Sequence, residues 1–181
     1  MQFEEVTTIA QPAARVVHTM IWELESLVPF MDNVEAIETR RLEQQEDGRV
    51  IGLRHWQGTS GQVPAIVRPF VSRAQLGWLD HAIWYPSEHK VAWRIENSHS
   101  AYARCEGENV FAPDPERPET HTRCVIRGVF DVDGAKLPAV PAFVGRKIAP
   151  KLEDIVIGYM RPNFRQLAAG LEARLRQGGV A

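Results

Sequence analysis

Arg54 and Trp56 alternate along one stretch of this 181-residue chain, and Trp78, Asp80 and Trp84 along another. Residues two or four apart on a strand share a face, so each stretch sets a charged group beside indole rings. If those faces turn inward, Arg54 and Asp80 are the polar groups that orient a ligand. The tryptophans, with Trp93, would then stack on a planar or lipid-like molecule. A cavity Asp or Arg can also transfer a proton or stabilise an enolate, so the same residues would serve an enzyme. Both faces of each strand are mixed in character, which leaves their facing open, and any one Trp taken singly reads as core.

Other chemistry finds less support. No pair among His18, His55, His81, His89, His99 and His121 has the spacing of metal ligands on one helix face. His121 and Cys124 would point to opposite faces of a strand. We therefore expect no metal and no cofactor. Cys105 and Cys124 are the only two cysteines, too few for a disulfide scaffold, and read as small buried thiols. Thr59-Ser60-Gly61 reads as a turn and not as a nucleophile elbow.

The balance of 21 Lys+Arg against 23 Asp+Glu lacks the basic excess that phosphate binding demands, so no nucleic-acid partner is expected. The first residues, MQFEEVTTIA, have no basic segment leading into an apolar run, and no apolar stretch reaches the length of a bilayer. The expectation is one cytoplasmic domain over residues 1–181 without stable membrane insertion. The sequence carries no signature of oligomeric state.

Elements that would position these residues follow from periodicity. QFEEVTTIA reads as a strand, and Pro12 opens a helix whose apolar residues Val16, Val17, Met20, Ile21, Leu24 and Leu27 recur at helical spacing. Pro29 interrupts, VEAIETRRLEQ reads as a strand, and Glu46–Arg49 turns the chain into VIGLRHWQG. Residues 62–75 carry Pro64 and Pro69, so a strand there is short or at an edge. LGWLDHAIWYP, HKVAWRIEN, YARCEGENVFA and THTRCVIRGVFDV each read as further strands. A helix from about Gly145 to Arg176 follows, with the stripe Ile148, Leu152, Ile155, Tyr159, Phe164, Leu167, Leu171 and Leu175.

Charge pairing suggests a register. Setting Arg94 against Glu106, and Glu106 against Arg123, gathers Arg94, Glu96, Arg104, Glu106, Arg123 and Arg127 on one face, and places Cys105 opposite Cys124. That ladder reads as a solvated face and not as an acid/base site. The other face carries Trp93, Phe130 and the small residues Ala103, Cys105, Gly107, Cys124 and Gly128. Small side chains under a helix either admit it closely or leave a void, and we expect a pocket bounded by Trp93, Cys105, Cys124 and Tyr159. Pro162 falls inside the long helix, where it frees the Gly158 carbonyl. A bend there would lean the helix over the pocket and offer that carbonyl to a ligand; alternatively, two helices simply abut.

The order strand, two short helices, a run of antiparallel strands and one long C-terminal helix resembles the START-like (SRPBCC) helix-grip superfamily. The resemblance rests on architecture and includes the Pro-marked exit LVPFMDNVEAIE into a long strand. It implies an α+β fold, with about seven twisted antiparallel strands wrapped around the last helix and a hydrophobic cavity between them. It also implies a single START-like ligand-binding domain. Two functions follow: a carrier of a small hydrophobic or aromatic molecule, or a polyketide cyclase/dehydratase-type enzyme using a cavity Asp or Arg. A protein-interaction module is a further alternative. The inner faces assigned above hold almost no ionisable residue, which places the carrier first.

Overall fold

The computed structural model describes residues 1–59 and 76–177, apart from the side chain of Tyr159. The expectations for residues 62–75, for Ser60-Gly61 and for Tyr159 as a pocket wall lie outside the described residues and side chains. Strand β1 (Gln2–Ile9) leads into helix α1 (Ala13–Trp22), which starts after Pro12 in extended conformation. A 3-10 helix, Leu24–Phe30, contains Pro29 and completes the pair of short helices. Then come β2 (Val34–Gln44), β3 (Val50–Gly58), β4 (Gly77–Tyr85), β5 (Lys90–Glu96), β6 (Ala103–Pro113), β7 (Thr122–Val132) and α2 (Ala142–Gln177). The β2–β3 hairpin turns through Gly48 at φ +83, a conformation that suits glycine.

All seven strands join one antiparallel sheet in the order β1-β7-β6-β5-β4-β3-β2. One face is covered by α1, the 3-10 helix and α2, and the core lies between. Val16, Val17, Met20 and Ile21 of α1 are buried there with Trp56, Trp84 and Phe111 of the sheet. Phe3 of β1 stacks on Phe164 of α2 with ring centroids 5.9 Å apart, which seats the long helix on the sheet. Where the turn after β7 crosses α2, the Gly134 carbonyl lies only 1.9 Å from where a Cβ on Gly145 would stand. Nothing larger than glycine fits that crossing.

The charge ladder lies on the outer face, as its alternation suggests: Arg94, Glu96, Arg104, Arg123 and Arg127 are exposed and Glu106 is half-buried. Arg94 does face Glu106. The β6–β7 register differs from the charge-based expectation, because Glu106 faces Val129 and Glu108 faces Arg127. Arg127 also pairs with Glu4 of β1 at 2.7 Å, a third strand that pairwise matching of β6 and β7 left out. The offset is six residues, an even number, so every side chain keeps its face. The thiols do not keep their pairing: Cys105 opposes Phe130 and Cys124 opposes Phe111.

The stripe of α2 also differs in its first half. Ile148 and Ile155 are exposed, while Ala149, Glu153 and Ile157 are buried. Hydrophobicity alone misplaces this face because a carboxylate holds its centre. Glu153 accepts from the Val132 N–H at 2.9 Å and from the Met1 ammonium at 3.0 Å. The second half, with Leu171 and Leu175 buried, matches the expectation. The helix continues through Pro150 and Pro162, so two abutting helices are ruled out. Both prolines sit on its exposed side, where water can serve the carbonyls they free.

Candidate functional site

The pocket forms where the sheet is lined by residues of least obvious facing. Arg54 and Asp80 are direct cross-strand partners, flanked in register by the pair Trp56–Trp78 and, further along, by Ala82 and Trp84. All six turn inward and line a cavity of about 320 Å³ between the sheet and α2. Trp93, Ile95 and Cys105 continue the wall across β5 and β6, and Val156, Met160, Asn163, Phe164 and Leu167 close it from α2. The volume lies at the lower end of small-molecule sites.

Small residues create the space differently from the expectation. A Cβ on Gly107 would stand 2.7 Å from Cζ2 of Trp93, and one on Gly128 would stand 2.5 Å from Cζ of Phe3. These glycines are therefore covered by aromatic rings, and the void lies over Asp80 and Ala82 instead. Trp56 and Trp78 stack nearly parallel with centroids 5.7 Å apart, forming one end of the cavity. Trp84 stacks on Phe111 at 6.1 Å near the other. Trp93 is fixed by its N–H donating to Asn109 Oδ1 at 2.8 Å.

The electrostatics centre on Arg54 and Asp80. Arg54 is 2% exposed. Its Nη2 donates to the Ile21 carbonyl and its Nε to Thr39 Oγ1, so the guanidinium is tied to α1 and β2. Burial lowers its pKa, against the attraction of Asp80 and Glu25. No ion pair joins Arg54 to Asp80 among the described residues, although the two stand opposite in register. Burial pushes the Asp80 carboxyl up to about 6, against the attraction of Arg54 and His81 and a weaker pull from the Trp56 indole N–H. That indole does not complete a hydrogen bond of ordinary geometry, for both Asp80 Oδ1 and Trp56 Nε1 are buried without a partner. Asp80 is half-buried and lines the pocket.

Those two atoms belong to a pattern. Seven buried side-chain polar atoms lack a hydrogen-bond partner among the described residues, and five of them belong to residues lining this cavity: Asn33, Trp56, Asp80, Trp84 and Asn163. Native structures leave few buried polar groups unpaired. Among the described residues, most such atoms thus belong to residues that line one apolar pocket.

Of the residues singled out in the sequence, Arg54, Trp56, Trp78, Asp80, Trp84, Trp93 and Cys105 come together here. Cys124 does not, because it lies in the core opposite Thr7 and Phe111. Both thiols are pushed up to about 12 by burial, so neither is a nucleophile at neutral pH. Gly158 is on the exposed side of α2, with open space around it, and does not border the cavity. Sequence reasoning missed Asn33 and Asn163, which have no periodic signal. Asn163, directly after Pro162, could have been noticed as a polar residue beside the apolar stripe. A larger hollow of about 1240 Å³ on the outer face is open; its Arg127 pairs with Glu4, and its His81 with Glu96. The described residues contain no cluster that could hold a metal ion and no helix long and apolar enough to cross a membrane.

The chain has the helix-grip fold, with its interior pocket between sheet and C-terminal helix. Solved structures similar to it include a protein of Thermus thermophilus, at 21% identity and TM-score 0.65, with 99% of each chain covered. The Zhui aromatase/cyclase from a Streptomyces species is similar at 15% identity and TM-score 0.66, over 100% of this chain and 99% of that one. The di-domain aromatase/cyclase StfQ of the steffimycin biosynthetic pathway matches at 15% identity and TM-score 0.60, over 96% of this chain and 52% of its own. No family profile and no curated protein matches the sequence.

Proposed function

We propose that this protein binds a small, mostly apolar molecule in the cavity between the sheet and α2, as a carrier or sensor acting in the cytoplasm. The observation that carries this reading is that, among the described residues, five that line an apolar space of about 320 Å³ each hold a buried polar atom without a hydrogen-bond partner. Each buried group left unpaired costs about 1–3 kcal/mol, a cost that a protein with only a structural core would not retain. The test is native mass spectrometry of the purified protein, followed by solvent extraction. A bound molecule, or one-to-one binding of an apolar fluorescent probe that Cys105→Trp abolishes, is the expected result. Absence of both would remove the reading.

One observation favours a second reading, that of a cyclase/dehydratase-type enzyme. Asp80 titrates near 6, close enough to neutrality to take or give a proton, and Arg54 stands across from it to balance developing negative charge. The fold shared with aromatase/cyclases is compatible with this but does not establish it. Under this reading Asp80→Asn would bind the substrate with little change and lose turnover. Under the carrier reading there is no turnover to lose.

A further inference from the structure

Resting on the pocket-binding reading, the geometry points to the ligand's chemical class: a neutral ring compound carrying a hydroxyl that donates to Asp80 and an acceptor that takes an indole N–H. The argument begins with what the orphaned atoms can do. Trp84 Nε1 and Trp56 Nε1 can only donate, whereas Asn33 Oδ1 and Asn163 Oδ1 accept, as does Asp80 Oδ1 when ionised. A ligand that comes against these atoms satisfies them only if it supplies both kinds of bond. A pure hydrocarbon chain supplies neither.

Charge narrows the class further. Apart from the Cys105 thiol, which burial keeps neutral, Arg54 and Asp80 are the only ionisable groups lining the cavity among the described residues, one of each sign. Arg54 is already held by the Ile21 carbonyl and Thr39. Among the described residues the site therefore has no excess of either charge, and a carboxylate ligand would enter beside the Asp80 carboxyl, while an ammonium would enter beside Arg54. A neutral ligand meets neither penalty. Shape supports a ring: the walls are the stacked Trp56–Trp78 pair, Trp84 and Trp93. The volume of about 320 Å³ corresponds to about ten waters by their share of the liquid.

Three matched probes test this by isothermal titration calorimetry at pH 7.5: 2-naphthol, 2-methoxynaphthalene and 2-naphthoate. The naphthol has the donor, the ether lacks it, and the naphthoate replaces it with a negative charge. We expect the naphthol to bind roughly tenfold or more tightly than the ether, as one hydrogen bond to a charged acceptor predicts, and the naphthoate to bind weakest. Asp80→Leu should erase the difference between naphthol and ether. Asp80→Asn, which keeps an acceptor oxygen, should retain part of it, and thermal unfolding of both variants checks that each is folded. Equal affinity for all three probes would overturn the ligand class while leaving a hydrophobic binding pocket in place. Tightest binding of the naphthoate would overturn it in favour of an anion read by Arg54. No binding of any probe, in a protein that also carries no co-purified molecule, would overturn the pocket reading together with this one.

Discussion

Asp80 should make the folded protein less stable than it needs to be. Its carboxyl is raised from 3.8 to about 6 by burial, a value that already includes the attraction of Arg54 and His81. Between pH 3.8 and about 6 the folded chain holds a proton that the unfolded chain has released. Folded protein therefore binds more protons than unfolded, and stability falls as pH rises through that window. Below it the contribution vanishes, and above it the full cost persists. The difference corresponds to about 3 kcal/mol at neutral pH, at about 1.4 kcal/mol for each tenfold change in the protonation equilibrium. Asp80→Asn removes the ionisation while preserving size and polarity. Urea unfolding of wild type and variant across pH 4 to 8 should show near-equal midpoints at the acid end. The variant should become progressively more stable towards pH 7, by up to about 3 kcal/mol. Because the comparison subtracts every other carboxylate, the pH dependence of the difference reports Asp80 alone. A variant less stable than wild type at pH 7 would refute the reasoning, since it would mean that Arg54 holds Asp80 as a stabilising ion pair. A buried group kept at such a cost fits a site maintained for binding or catalysis.

Further outcomes can be measured alongside. Cys105→Trp places an indole in the pocket wall opposite Phe130 and should abolish the fluorescence of a bound apolar probe while circular dichroism reports the same fold. Glu153→Ala leaves the buried Val132 N–H without its acceptor and should cost about 1–3 kcal/mol in urea unfolding; Glu153→Gln, which keeps an acceptor, should recover much of it. Pro162→Ala should stabilise the protein by up to about 3 kcal/mol. With Pro162 on the exposed side of α2, probe affinity should stay unchanged, and a weakened affinity would restore a role for a bend over the pocket.

Strand boundaries, the two short helices, the long last helix and the facing of β5, β6 and β7 were all legible in the sequence, because they follow from local periods of two and about three and a half. Alternation in VAWRIE or TRCVIRGVF needs no partner to be read. Register needs one. Charge matching between β6 and β7 missed Glu4 on β1, which comes from the far end of the chain and claims Arg127. The buried side of α2 was likewise misjudged near Glu153, whose burial makes sense only beside Val132 and the chain's first residue. The site itself was settled by packing in three dimensions. The inner faces of β3 and β4 carry Arg54, Gly52, Asp80 and Ala82 between their tryptophans, a mixture whose hydrophobicity points to neither side. Only the docking of α1, which holds the Arg54 guanidinium through the Ile21 carbonyl, and of α2, which roofs Asp80, turns these residues inward. A face can be read from neighbours two residues away, but a pocket is made by segments that meet only after folding.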